Sequence, residues 1–273
     1  MKLSMSNIAW GVEHDEQVAA ILQQENVRFV DLAPGKYLPD IPNATPADCR
    51  AVKDWWARRG ISIAGMQALL FGTEGLNVFG SAESQQRLLN HLHAICRIGD
   101  GLEARRLVFG SPKNRDRTGL SDQEAMDQAC AFFLRLADLA DAHGVTICLE
   151  PNPEAYGCNF MTSSPETAAV VGAVNHPCIR MQLDTGSLTM NQEDPEAICS
   201  AYQQLIGHIH ASEPQLKPVG EGTCDHRASA EAMAHHFPEA VICIEMLTAG
   251  ETDPLATIAR SVGFTKRTYL SSQ

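Results

Sequence analysis

Several features that would assign a function at once are missing from this 273-residue chain. No stretch approaches the roughly 18–20 consecutive apolar residues of a membrane span. The opening segment, MKLSMSNIAWGVEHDEQ, has one lysine, no long apolar core and no small-residue cleavage pattern, so no secretory leader is expected. Neither glycine-rich phosphate loop, G-x-G-x-x-G or G-x-x-x-x-G-K-[ST], occurs, which argues against a nucleotide-binding open sheet. There is also no linker, repeat or low-complexity tract, so one domain over residues 1–273 is expected. Basic charge is scarce: 21 Lys and Arg face 33 Asp and Glu, for a net charge of -12. A nucleic-acid backbone is therefore a poor partner, although a few local Lys or Arg would still suffice for a small anion. The nine cysteines (49, 96, 130, 148, 158, 178, 199, 224 and 243) are odd in number and form no C-x-x-C pair. Several lie in apolar runs such as VTICLE and VICIE, as expected of reduced, packed thiols in a cytoplasmic protein.

What is present is an alternation. Hydrophobic residues make up 44% of the chain, enough for a large core without disulfide staples. Short apolar runs read as strands at Leu3–Ala9, Val27–Leu32, Ser62–Ala68, Arg106–Phe109, Thr146–Glu150, Arg180–Asp184, Gly207–Ala211 and Val241–Met246. Amphipathic segments separate them. Thr45 and Pro46 open one helix, with Gly60 as its stop, and Ser121–Glu124 reads as a capping box for another that Gly144 closes. Eight strand–helix units imply right-handed crossovers and a parallel sheet, and in about 270 residues they fit a closed (β/α)8 TIM barrel.

In such a barrel the chemistry lies at the C-terminal ends of the strands. Strand five ends CLEPNP and delivers Glu150; strand six ends MQLDTG and delivers Asp184. Strand seven reads GHIHASEP and delivers His210, and strand eight reads VICIEML and delivers Glu245. Each alone is an ordinary strand-end residue, but four on consecutive strands place three carboxylates and an imidazole on one rim. That set suits one divalent ion, Mn²⁺ first, with Mg²⁺, Co²⁺ or Zn²⁺ as alternatives. Three clustered carboxylates repel one another unless a cation compensates them. His208 shares its face parity with His210 and reads as a barrel-interior histidine or one lying behind a ligand.

The motifs LEPNP, LDTG, HIHASEP and CIEM resemble the xylose-isomerase-like TIM-barrel superfamily over the whole chain. That superfamily includes sugar isomerases, the D-tagatose/D-psicose 3-epimerases and the endonuclease IV branch. The order Glu150, Asp184, His210, Glu245 is most similar to the ketose 3-epimerases. The resemblance implies that these four bind one divalent metal and that Glu150 and Glu245 also move protons. The runs MQALLFG and VFGSPKNR look like a group of sugar phosphate isomerases/epimerases. Two positions depart from the epimerase pattern: Ser187 stands where those enzymes carry a histidine, and their arginine after the metal-binding histidine has only Lys217 as a counterpart. Both family residues contact substrate, so a plain hexulose held in the same way is not expected here. The further ligands and basic face of the endonuclease branch, and the second metal site of xylose isomerase, are not evident.

The chemistry follows. A divalent ion on the carbonyl and adjacent hydroxyl oxygen of a sugar stabilises the enediolate left by proton removal. One carboxylate takes the proton and another, on the opposite face, returns one. Return to the same carbon is epimerisation, and return to its neighbour is aldose–ketose isomerisation. Expulsion of a β-leaving group would make a lyase or dehydratase on the same scaffold, and a decayed site would leave a non-catalytic sugar-binding barrel. Around the rim, Lys113 and Arg115 read as partners for a phosphate or carboxylate, or as a solvated basic loop. Asn152 reads as a hydroxyl partner or a turn residue, and Gln67 and Glu221 are candidates of the same standing. Trp10 is either a stacking face for a sugar or a plug. His226 reads as an exposed loop histidine in preference to one that reaches the site from the loop after strand seven, and Trp55–Trp56 as core or subunit contact. The partners expected are thus a small-molecule carbohydrate and, in an oligomer, further copies of the chain, with no nucleic acid and no membrane.

Overall fold

The computed structural model describes residues Met1–Leu270. Eight parallel strands close into a barrel in sequence order: β1 (Lys2–Ser6), β2 (Phe29–Leu32), β3 (Ser62–Met66), β4 (Arg106–Phe109), β5 (Thr146–Leu149), β6 (Ile179–Asp184), β7 (Ile206–Ser212) and β8 (Val241–Glu245). The strand expectations hold in number and order. Their ends shift by a few residues where a short 3-10 turn replaces the last extended residues, as at Asn7–Ala9 after β1.

Nine α-helices among the described residues pack outside: α1 (Asp15–Gln24), α2 (Pro46–Ala57), α3 (Ala82–Leu102), α4 (Asp122–Ala142), α5 (Ser164–Val174), α6 (Thr185–Asn191), α7 (Pro195–Tyr202), α8 (His226–His236) and α9 (Pro254–Leu270). Thr45 and Asp48 form a capping box at α2, and Ser121 and Glu124 form one at α4, each satisfying two otherwise unpaired N–H groups. Helix α6 is not evident in the sequence, because DTGSLTMN is short and mixes weak helix formers. It exists because Asp184, the last residue of β6, caps it by accepting from Ser187 N–H. Trp56 is fully buried, with Trp55 edge-on to it at 4.8 Å, so this pair belongs to the packing between helices and barrel. No described helix is long and apolar enough to cross a membrane.

The outer faces of the strands are apolar, but the barrel lumen is not. Ser4, Asp31, Gln182 and His208 are buried there. Asp31 on β2 reaches His208 Nε2 on β7 at 2.9 Å and also accepts from Ser4 of β1. A contact between β2 and β7, which are not sheet neighbours, crosses the lumen. His208 is therefore an interior histidine, one residue pair below the rim.

At the other end of β7, Glu213 organises the following loop. Its buried carboxylate accepts backbone N–H groups of Gly220, Gly222, Thr223 and Cys224 at 2.9–3.2 Å and Nε2–H of His226 at 3.0 Å. His226 is buried rather than exposed, with Nδ1 at 2.8 Å from the hydroxyl of buried Tyr269 in α9. A Cβ at position 222 would collide with the Glu213 carboxylate, so only glycine lets the loop close over it. Burial alone would raise the Glu213 pKa, but the bonds from His226 and Cys224 outweigh it and pull it to about 2.

A group depressed below its unfolded-state value stabilises the fold above that value, and the stabilisation fades as pH falls towards the folded-state pKa. Glu213→Gln is therefore expected to lose on the order of 3 kcal/mol at pH 7. The gap in melting temperature between wild type and variant should narrow steadily below about pH 4.5. Thermal denaturation of both proteins between pH 7 and 3 checks this, and a pH-independent gap would assign the loss to packing.

Candidate metal centre

Glu150, Asp184, His210 and Glu245 converge at the C-terminal mouth, each with one donor atom within 4.8 Å of the others'. Register explains the convergence. Asp184 pairs directly with His210 across β6 and β7, and Ser212 pairs with Glu245 across β7 and β8. His210 and Ser212 therefore share the inward face of β7, one step apart. Glu150 follows β5 directly, with its N–H on Phe109 O at 3.1 Å. His210 is fully buried, whereas the Glu150 and Glu245 side chains keep 13% of their surface open to the mouth.

Neighbouring groups hold these side chains in place. Asp184 accepts from Ser187 N–H at 2.7 Å with one oxygen and from the Ser212 hydroxyl at 2.6 Å with the other. Thr185 ties the two strand ends together, donating its hydroxyl to Ser212 O at 2.7 Å and accepting from Ser212 N–H at 2.8 Å. Asn152 spans Gly110 O at 2.7 Å and Glu150 Oε2 at 3.4 Å. Arg115 donates to Glu150 O at 2.7 Å, fixing the backbone from which the carboxylate projects. Gly110 faces the same carboxylate, and a Cβ there would strike Glu150 Oε2.

The site is electrostatically unbalanced. Burial, then the Glu150 charge, raises the Asp184 pKa. Burial alone would lower the His210 pKa, but the charges of Glu245 and Glu150 beside the ring raise it well above the usual histidine value. Nδ1 lies 3.2 Å from Glu245 Oε2 and 3.4 Å from Glu150 Oε1. Yet neither ring nitrogen nor Glu150 Oε1 makes a well-formed hydrogen bond, although all three atoms are buried. Unpaired buried donors and acceptors at the meeting point of three carboxylates fit a hard divalent cation bound by oxygen and imidazole.

The mouth opens into a cavity of about 820 Å³. Gln67, Lys113 and Asn152 line it, as expected for rim residues. Four other sequence candidates do not. Arg115 is fully buried and turned towards backbone, donating to Glu150 O, although Gly110–Lys113 just before it line the cavity. Trp10 is buried with its indole N–H on Asp15 at 2.7 Å, which makes it a plug. Lys217 is exposed away from the cavity, and Glu221 pairs with Arg260 of α9 at 3.1 Å. Ser212, Glu213 and Tyr156 line the cavity without having been singled out. Ser212 carries a usable signal, since it lies two residues beyond His210 on the same face.

A family model described as xylose isomerase-like TIM barrel matches residues 19–268. An L-ribulose 3-epimerase from Methylomonas sp. (strain DH-1) is 26% identical over 136 residues, 50% of this chain. In that match the chain spans about half of the relative's length, 47%. Among solved structures, D-psicose 3-epimerase from Clostridium cellulolyticum H10 superposes with a TM-score of 0.82 at 14% identity, covering 98% of this chain and 99% of that one. The 3-keto-D-glucoside 4-epimerase from E. coli superposes with a TM-score of 0.79 at 13% identity, covering 97% of this chain and 99% of that one. At these identities the two superpositions establish the fold.

Two outcomes follow from the geometry. Gly110→Ala is expected to displace the Glu150 carboxylate and weaken Mn²⁺ binding by about 10–100-fold, the usual cost of disturbing groups that orient a ligand, with an unchanged circular dichroism spectrum. The carboxylates beside His210 favour a proton on its ring in the metal-free protein, and a metal bound there would have to displace it. Mn²⁺ binding should therefore release protons and weaken as pH falls. Calorimetric titration in buffers of different ionisation enthalpy measures that release directly.

Proposed function

Since the chain belongs to the xylose isomerase-like TIM-barrel family, we propose that it is a divalent-metal-dependent isomerase or epimerase of a small sugar or sugar derivative. The observation that carries the reading is the approach of two glutamates, from strands three apart in the barrel, to one histidine nitrogen at the floor of an open cavity. The names of the relatives, a ribulose 3-epimerase, a psicose 3-epimerase and a keto-glucoside 4-epimerase, support the same class. Glu150, Asp184, His210 and Glu245 would hold the ion, with Mn²⁺ as the first candidate. When bound, it supplies positive charge beside the substrate oxygens on which negative charge develops as the neighbouring carbon loses its proton.

The remaining work falls to the chain. One of the two glutamates takes the proton from that carbon, and the other, reaching the substrate from the opposite side, delivers one. Among the described residues Glu245 approaches only the side chain of His210, and it lines the cavity. Glu150 is steadied by Asn152 and by the Arg115 contact to its carbonyl. Gln67 and Asn152 lie where substrate hydroxyls would need partners. Among the described residues Lys113 is the one cationic residue lining the cavity, too little for a built phosphate site, and this favours a neutral sugar over a sugar phosphate.

Glu150→Gln and Glu245→Gln test the two proton carriers. An amide oxygen still coordinates but does not act as a base, so each variant should lose about 10²–10⁴-fold in turnover. Metal content is measured alongside. Incorporation of solvent deuterium into sugars recovered from incubation with the Mn²⁺-loaded protein, followed by NMR, reads the proton step itself. Near-native turnover in either variant with metal bound would remove that glutamate from the proton path. Loss of water from the sugar without exchange would assign the site to elimination.

A further inference from the structure

The cavity above the metal centre has two unlike sides. Glu150, Asn152, Asp184 and Glu245 lie at its floor, at the ends of β5, β6 and β8, and Gln67 joins them from the end of β3. Across the mouth, the turn after β3 contributes Ala68, Leu69, Leu70 and Phe71, and Leu216 closes in from the loop after β7. None of these side chains bonds to a sugar hydroxyl. The cavity, at about 820 Å³, lies in the upper part of the ~300–1,000 Å³ range of sites that enclose drug-sized ligands. A single sugar ring over the metal centre fills only part of it.

Phe71 is the most exposed large apolar residue among those described, at 91%. A firm turn presents it. Its N–H donates to Ala68 O at 3.1 Å, Thr73 N–H donates to Leu70 O at 3.1 Å, and the His91 ring bonds Leu69 O at 2.9 Å. Leu69 and Leu70 are buried beneath it, and Ala68 holds a positive φ of 53° to make the corner. A second ring, Tyr156, edges the cavity from the loop after β5, its hydroxyl accepting from Gln215 N–H at 2.8 Å. An exposed aromatic side chain on a hydrogen-bonded turn at the rim of an apolar wall, with a second ring lining the same cavity, is suited to an aromatic or alicyclic group. The sparse polar contacts on that wall, together with Ser187 turned away to Pro151 O at 3.0 Å, leave little to recognise a second set of hydroxyls.

We propose that the substrate is a neutral sugar that keeps a free carbonyl and is joined to an apolar ring, an aryl glycoside with a ketone on its sugar ring or a close analogue. The sugar lies over the metal centre and the ring lies against Leu69, Leu70 and Phe71. This rests on the metal-dependent sugar chemistry proposed above and adds the class of group that the sugar carries.

The test is calorimetric titration of the full chain, with and without Mn²⁺, using phenyl and methyl D-glucopyranosides of both anomers as unreactive analogues that lack the carbonyl. The phenyl glycoside of at least one anomer should bind ten-fold or more tightly than its methyl counterpart, since burying and stacking a ring is worth that much. Phe71→Ser should remove most of the difference while changing methyl glycoside affinity less than two-fold. Equal affinities for phenyl and methyl glycosides, or no detectable phenyl glycoside binding, would overturn the proposal. A phenyl preference that persists in Phe71→Ser while sedimentation shows a dimer converted to monomer would also overturn it, assigning Phe71 to an interface between copies. If Mn²⁺ is required for binding but the aglycone makes no difference, only the aryl assignment fails. If the phenyl preference is present and indifferent to Mn²⁺, the apolar wall stands and the metal-dependent reading fails.

Discussion

The mutual repulsion of Glu150, Asp184 and Glu245 around one buried imidazole is the constraint on which the rest of this mouth depends. Three carboxylates within reach of one histidine are unstable as neighbours in a low-dielectric site. They stay together because each is carried by a different strand of a closed sheet and cannot move away without breaking register. The surrounding groups serve that arrangement: Ser212 and the N-terminus of α6 orient Asp184, Asn152 and Arg115 hold Glu150, and Gly110 leaves room for its carboxylate. The raised pKa of His210 expresses the same imbalance, since the carboxylates around it favour positive charge at that point.

The barrel beneath is built to tolerate this polarity. Most closed parallel barrels fill the lumen with branched apolar side chains. Here Asp31 and His208 bridge the lumen, with Ser4 completing the carboxylate's partners, so buried polar groups satisfy one another below the rim. Above it, Glu213 gathers the 220–224 loop and docks α8 and α9 through His226 and Tyr269. One carboxylate thus sets the shape of the cavity wall next to the centre without belonging to it. The two chemistries of the cavity, an acidic floor and an apolar wall from the turn after β3, arise from opposite sides of the barrel.

The sequence was legible where a residue's direction is a local property. Eight apolar runs alternating with capped amphipathic segments leave few topologies other than a barrel, and the period-2 geometry of a strand fixes which side a residue faces. Glu150, Asp184, His210 and Glu245 each break an apolar run at its C-terminal end, so their shared rim could be read before any coordinates. His208 followed from parity with His210, and the two capping boxes followed from their spacing.

Loops obey no such rule. Lys113 reaches the cavity and Arg115, two residues on, is wholly buried against the Glu150 carbonyl; Lys217 and Glu221 turn outward, and Trp10 turns inward to Asp15. His226 is buried only because Glu213 and Tyr269, remote in sequence, meet it. Sequence by itself thus determined the barrel and the donor set of its rim, because backbone periodicity carries that information residue by residue. Tertiary structure alone decided which loop side chains face the cavity, that one wall is apolar, and that Phe71 stands exposed at its edge, because those directions are fixed by contacts between segments far apart in the chain.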